Sequence, residues 1–275
     1  MPGKLLLIGT PLGNLADFSP RAIEAMKSCS LLLCEDTRHT RKLLTHFGIA
    51  VRAESFHEHN EQSKTERVLD RIQSGATVGL VSDAGMPLLS DPGYVLVRAR
   101  ERRILVEPVP GPFAAALALV ASGLPPIPFS FFGFAPHRQS DRISFYEGIA
   151  ARAMTAVIYE SPQRLIQSLQ DALPILGDVE LTVAREMTKL HEEFLHGTVT
   201  EILSSLEQRE ALRGEVTVVF GAAKKEAKPV DHAEIRSEFE RMRQSGLRRS
   251  DVVNVLSERF GIRKNELYQL LLLDD

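Results

Sequence analysis

Three carboxylates stand where short apolar runs end. Glu35 and Asp36 follow residues 31–34, and Asp83 follows residues 78–81. An acid at the end of a strand can hold a ribose hydroxyl or take up a proton. It can equally cap a helix or sit on the surface. Polar clusters mark five such ends: residues 10–14, 35–40, 57–60, 82–87 and 110–112. Several chemistries are excluded by pattern. Gly9-Thr10-Pro11-Leu12-Gly13 lacks the Gly-Lys-Ser/Thr that closes a phosphate loop, and there is no G-x-G-x-x-G fingerprint, which removes a nicotinamide oxidoreductase. No Gly-x-Ser-x-Gly elbow offers a hydrolase nucleophile. His57 and His59 have no third ligand at useful spacing, and His191 and His196 have no Cys or His cluster, so no metal site is expected.

The clearest of these edges is residues 78–93, VGLVSDAGMPLLSDPG. The apolar run 78–81 reads as a buried strand, and residues 82–90 as a ligand-binding loop beyond its carboxyl end. Asp91 is expected to cap the helix 94–103, with Pro92 at its first position, where a missing N–H costs nothing. The same alternation runs through the first half. Strands are expected at 4–8, 31–34, 51–56 and 104–109. Helices are expected at 20–28 (capped by Ser19), 41–47, 61–74 and 113–122. Such an order predicts a mostly parallel sheet with helices on its faces.

A boundary is expected near Gly123-Leu124-Pro125-Pro126. Beyond it come strands at 129–132, 155–159, 180–184, 192–196 and 216–220, and helices at 140–152, 163–173 and 199–206. This second α/β unit is expected to be more mixed in strand direction. Residues 224–229, KKEAKP, read as a linker. Residues 231–273 read as three short amphipathic helices, with a faint helix-turn-helix about Phe260-Gly261-Ile262. The expected domains are thus 1–123, 124–223 and 224–275. The last balances eleven Lys and Arg against ten Asp and Glu, so packing or dimerisation competes with nucleic-acid reading there.

A net charge of −3 over 275 residues is not the footprint of a strong nonspecific nucleic-acid binder. With only Cys29 and Cys34, a disulfide scaffold is excluded. Residues 4–8 are too short for a secretory leader and no apolar run approaches about 18 residues, so a reducing cytoplasm and no membrane are expected.

The ordered set LLLIGTPLGNLADFSPRA, CEDTRHTRKLL, FHEHNE, GLVSDAGMPLLSDPGYVLV and VPGPFAAALALVASGLP resembles the tetrapyrrole methylase superfamily. With further matches at FFGFAPH, IYESPQRL and VAREMTKLHEEFLHG, the motifs EDTRHT and HNE and the tail's RKNELYQL make the chain resemble the branch that methylates cytidine ribose 2′-hydroxyls of 16S ribosomal RNA. The resemblance implies two α/β domains with an S-adenosylmethionine (SAM) cleft between them, a helical tail, and no metal. It implies SAM contacts at Pro11, Asp83, Met86, Phe113, Ala114, Tyr159, Ala184 and Glu215. Met86 stands where Thr is usual and Phe113 where a small residue is usual. EDTRHT and HNE then suggest the catalytic set: Glu35 or Asp36 takes the proton, and Arg38, His59 and Asn60 hold the sugar-phosphate and the acid. The implied partners are small-subunit ribosomal RNA, in an assembled or partly assembled 30S subunit, and a second copy in a homodimer. Arg138, Arg142 and Arg152 are further candidates for phosphate contact. The competing readings are a SAM-dependent tetrapyrrole methyltransferase and a noncatalytic RNA-binding or assembly module.

Overall fold

The structure, a computed structural model, describes residues 3–89, 93–223, 232–260 and 264–272. The chain divides into two compact units, Met1–Ala223 and Lys224–Asp275.

The first unit holds two five-stranded sheets. In the first, β1 (Lys4–Ile8), β2 (Leu31–Cys34), β3 (Ala53–Ser55), β4 (Thr77–Val81) and β5 (Leu105–Val109) run parallel in the order β3-β2-β4-β1-β5. Side chains alternate across it with period two. Leu6, Ile8, Leu32 and Cys34 pack on one side against α1 (Pro20–Ser28) and α2 (Thr37–His46). Leu5, Leu31, Leu33, Val78 and Leu80 pack on the other against α3 (Glu58–Gln73) and α4 (Tyr94–Glu101). Both faces are covered, which is why the strands read as unbroken apolar runs.

The second sheet has the order β6-β7-β10-β8-β9. Its strands are β6 (Phe129–Phe134), β7 (Thr155–Glu160), β8 (Glu180–Arg185), β9 (Glu193–Thr198) and β10 (Val216–Phe220). Only β6 and β7 pair parallel, so the expected mixed direction holds. α6 (Gln139–Arg152), α7 (Leu165–Leu176) and α8 (Val199–Glu207) cover one face through Tyr146, Leu169 and Ile202. The other face receives α5 (Ala114–Ser122), the helix that leaves the first sheet. Ala115, Ala118 and Leu119 lie there on Val157, Ala184 and Val219. The second unit has α9 (His232–Gln244), α10 (Arg249–Phe260) and α11 (Lys264–Leu272) around Ile235, Val252, Val253, Leu256 and Leu267.

Several boundaries differ from expectation. α2 starts at Thr37, not 41, because Asp36 caps it by accepting from the Arg38 N–H at 2.7 Å. α3 starts at Glu58 through a reciprocal cap between His57 and Asn60. The clusters at 35–40 and 57–60 are therefore largely helix starts, not loops. α4 is capped by Gly93; Ser90, Asp91 and Pro92 lie outside the described residues. α7 starts two residues later than expected, at Leu165, and continues past Pro174. Buried Leu169, Ala172 and Leu176 hold its last turn in place. β3 is only three residues long, while Phe56 beyond it is buried in the core. β6 extends to Phe134 through a register irregularity that contains Gly133, at φ +69°. The linker 224–229 and the turn residues 261–262 lie outside the described residues.

Candidate active site

The loops after β1, β4 and β5 are laced together by their backbones. Thr10 and Gly85 exchange N–H···O bonds of 2.9 and 3.1 Å, and the Met86 N–H donates to the Pro112 carbonyl at 3.1 Å. The Thr10 hydroxyl donates to the Ser82 carbonyl at 3.1 Å. Gly85 sits at φ +78°, a left-handed position suited to glycine. Gly9 and Gly111 touch so closely that a Cβ on Gly111 would lie 2.6 Å from the Gly9 Cα. Gly85, Met86 and Pro112 of this triple junction line a cavity of about 470 Å³.

Ser82, Asp83, Gly85 and Met86 line that cavity from the β4 loop, and Phe113 and Ala114 from the start of α5. The second sheet contributes Phe134 and Tyr159 from β6 and β7, and Glu215 from the approach to β10. Glu35 reaches its mouth from the end of β2. Of the residues singled out by sequence, Glu35, Asp83, Met86, Phe113, Ala114, Tyr159 and Glu215 are thus brought to one cavity. Pro11 and Ala184 are not on its wall. Pro11 is buried beside Leu12, which does line it, and Ala184 is fully buried behind Phe113 and Tyr159.

The apolar wall is an aromatic chain. Phe131 meets Phe113 and Tyr159 edge-on at 5.2 and 4.9 Å between ring centres, and Phe134 meets Tyr159 at 5.2 Å. Burial pushes the Tyr159 phenol up, against a hydrogen bond with the backbone of Ala115. Carboxylates held by specific partners line the cavity from both sheets. Asp83 Oδ1 accepts the Asp36 N–H at 3.3 Å. Lys189 Nζ lies 3.2 Å from Glu215 Oε2 and 2.9 Å from Glu186 Oε1, and Glu186 Oε1 also accepts the Glu215 N–H. Glu186 and Thr188 hold φ +51° and +68°, so the β8–β9 loop is strained where it presents Lys189. The aliphatic stem of Lys189 occupies the space beside Gly13, where a Cβ would sit 2.5 Å from its Cγ.

Asp36, Arg38, His59 and Asn60 do not line the cavity. The Asp36 carboxylate accepts from the Arg38 backbone and from its guanidinium at 2.9 Å; these hydrogen bonds hold it down to about 2. Asn60 Oδ1 accepts the His57 N–H at 3.0 Å, and Nδ2 lies 2.9 Å from His57 Nε2, so the amide is spent on the start of α3. His59 is exposed on the same helical turn. Arg142 corrects an expectation: it is buried, paired with Asp171 at 2.5 Å and bonded to the carbonyls of Pro136 and His137. It is a core ion pair and reaches no ligand. Arg152 lies over the Phe132 ring at 5.0 Å, and Arg138 precedes α6.

Sequence reading did not pick out Phe134, the 160–162 turn or residues 216–217 as cavity lining. Glu160-Ser161-Pro162 carried a signal, but it reads as a helix cap. Among the described residues, no His, Cys, Asp and Glu group could hold a metal ion, and no helix is long and apolar enough to cross a membrane.

The sequence model of the family described as Tetrapyrrole (Corrin/Porphyrin) Methylases matches residues 4–203. The chain belongs to this family. It is 40% identical over 273 residues to the protein named ribosomal RNA small subunit methyltransferase I in Synechocystis sp., covering 98% of each. It is 40% identical over 273 residues to the protein of the same name in Escherichia coli O157:H7, covering 98% of this chain and 95% of that one. Among solved structures it resembles the uroporphyrin-III-C-methyltransferase of Thermus thermophilus, with a TM-score of 0.57 and 21% identity over 80% of this chain and 94% of that one. It also resembles a diphthine synthase, with a TM-score of 0.62 and 14% identity over 79% of this chain and 89% of that one. These two likenesses are of fold.

Proposed function

We propose that this chain transfers a methyl group from SAM to the 2′-hydroxyl of a cytidine ribose in small-subunit ribosomal RNA. The observation that carries the reading is 40% identity, end to end, with relatives named for methylation of that RNA. Local geometry supports it. The residues present suit SAM: a cavity of about 470 Å³ lined by an aromatic wall for a purine and by the carboxylates Asp83 and Glu215 for an ammonium and a sulfonium. Asp83, Met86, Phe113, Ala114, Tyr159 and Glu215 would hold it directly, with Pro11 and Ala184 shaping the loop and wall behind. When bound, SAM supplies a methyl group carried on positive sulfur.

The rest of the task falls to the chain. A ribose 2′-hydroxyl is a poor nucleophile at neutral pH and needs an acceptor for its proton. Glu35 stands at the mouth and takes that role. Asp36, locked to Arg38 and held down to about 2, is the weaker base and serves by fixing Arg38 and, through its N–H, Asp83. Arg38, with its side chain 87% exposed, meets a phosphate beside the target. His59 lies where a flanking nucleotide passes, and Asn60 fixes the helix start beneath it. The substrate is the assembled or partly assembled 30S subunit, and the protein acts on it as a homodimer. Such a substrate lies in the cytoplasm.

The test is transfer of labelled methyl from SAM, run in parallel on undermodified small ribosomal subunits and on a porphyrinoid, with SAM binding followed by calorimetry. Label in the subunit's RNA alone is the expected result. Label in the porphyrinoid moves the chain to the tetrapyrrole branch, and the absence of binding heat leaves a noncatalytic module.

A further inference from the structure

Several surface arginines in this chain share a carboxylate. Arg98 and Arg102 share Glu66, and Arg185 and Arg209 share Glu193. α2 is different. Its ten residues, TRHTRKLLTH, hold two arginines, a lysine and two histidines and no acid. Arg41 and Lys42 are exposed and carry no side-chain hydrogen bond or ion pair among the described residues. Arg38, Arg41 and Thr45 lie three and four positions apart and share one face. That face begins at the cavity mouth, since Asp36, the cap of α2, follows Glu35. It ends at an open groove of about 490 Å³ beside β3, the outer strand of the first sheet. Arg41, Thr45 and Arg52 line the groove, over a floor that includes Leu44, Ile49 and Val51. One carboxylate, Glu54, is near; it is shared between Arg52 at 2.8 Å and Arg67 at 3.2 Å, which leaves the pair of guanidiniums net positive.

The geometry points to this face as a track for the single-stranded RNA that flanks the target nucleotide. Phosphates run along Arg38, Arg41 and Lys42, and a base lies in the groove under Arg41 and Arg52. A chain of net charge −3 gains no general attraction to RNA, so two neighbouring cations without a carboxylate, Arg41 and Lys42, beside the Asp36-paired Arg38, are what a phosphate backbone would meet. The apolar floor between guanidiniums suits an unstacked base, which RNA offers only where it is single-stranded. The inference rests on the proposed function and adds the path the substrate takes.

The test is the double variant R41E/K42E, with R41K/K42R as the conservative partner. Both sites are exposed, and a thermal melt checks folding. Affinity for a fluorescent single-stranded RNA oligonucleotide is measured across a salt series, SAM affinity by calorimetry, and methyl transfer on undermodified small subunits. Each phosphate contact on single-stranded RNA contributes about 0.7 to the slope of log K against log salt. Losing two contacts lowers the slope by about 1.4, and at 0.1 M salt weakens binding about 25-fold. SAM affinity stays at the parent value, and R41K/K42R keeps both RNA affinity and slope. An unchanged slope in R41E/K42E overturns the proposal. So does a variant that binds free RNA normally yet fails on whole subunits, which assigns the face to a protein surface instead. If the unsubstituted protein transfers no methyl to any subunit, it is the proposed function that fails, and the track with it.

Discussion

Replacing Gly111 by Ala tests whether the triple loop junction sets the cavity. Gly111 does not require a positive φ, so alanine fits its backbone and only space is at issue. The new methyl would stand 2.6 Å from the Gly9 Cα, 2.9 Å from its carbonyl carbon and 3.2 Å from its oxygen. Carbon atoms pack at about 3.5–4.0 Å, so the loops after β1 and β5 must part by about 1 Å. Backbone stands on both sides, with no flexible side chain to yield. Overpacking of this kind costs about 1–3 kcal/mol. The Met86–Pro112 bond lies on the parting line, and its loss adds about 1 kcal/mol. Reduced freedom of the unfolded chain returns about 0.4–1 kcal/mol. A net loss of about 2 kcal/mol lowers the melting temperature by about 4–8 °C in a unit of this size. The same shift carries Met86 and Phe113 out of register, so SAM affinity falls at least about tenfold, since a misplacement of about 1 Å is costly at a binding site. Gly123→Ala is the control. At φ +72° with open space around it, alanine there is strained by about 1–2 kcal/mol but leaves the cavity alone. Differential scanning calorimetry and SAM titration read both variants. If G111A melts within about 2 °C of the parent and binds SAM equally well, the argued role of the junction is wrong.

At the cavity mouth, Glu35→Gln abolishes methyl transfer to small subunits while SAM binding persists, whereas Asp36→Asn lowers transfer only in part; equal activity of E35Q and the parent removes Glu35 as the proton acceptor. Arg142→Ala destabilises by about 3–5 kcal/mol in a denaturant titration, because it strands Asp171 in the core, while the joint change Arg142→Met with Asp171→Leu recovers most of that loss. Hydrogen bonds from Arg209, opposed by burial and aided by Arg185, hold the Glu193 carboxyl from its ordinary 4.5 down to about 2. A lowered pKa means stability that is complete above pH 4.5 and lost as pH falls towards 2. Melting temperatures across that window should therefore fall less steeply in Glu193→Gln than in the parent.

What could be read without coordinates follows from what each signal reports. β1, β2 and β10 keep the expected bounds, residues 4–8, 31–34 and 216–220, because buried strands read as continuous apolar runs closed by turn residues. α1 was legible from Ser19 and Pro20, which cap and open it as expected. The starts of α2 and α3 were not, since Asp36, His57 and Asn60 read equally well as loop chemistry and as caps. Only the hydrogen bonds decide between those uses. The buried role of Arg142 was invisible for a related reason. A lone arginine on a polar helix face gives no sign that Asp171, 29 positions on, closes over it. Of the cavity, the loop containing Asp83 and Met86 was legible. Its aromatic far wall depended on how β6 folds beyond Gly133, a register irregularity that periodicity does not announce.

The motifs EDTRHT and HNE therefore divide by task. Asp36 caps α2, Asn60 helps cap α3, and Glu61 reaches across to accept the Val95 N–H of α4 at 2.8 Å. Three neighbouring helix starts at the carboxyl edge of one sheet are each closed by an acid or amide from these motifs. Unmet N–H groups there would attract any anion, including the phosphates of a substrate, to the wrong place. Closing them internally leaves Arg41 and Lys42 as exposed cations on α2 beside the Asp36-paired Arg38, while Glu35 lines the cavity. The caps thus contribute to selection as well as to stability. They decide which charges at the rim remain open to a ligand, and in which direction those charges point.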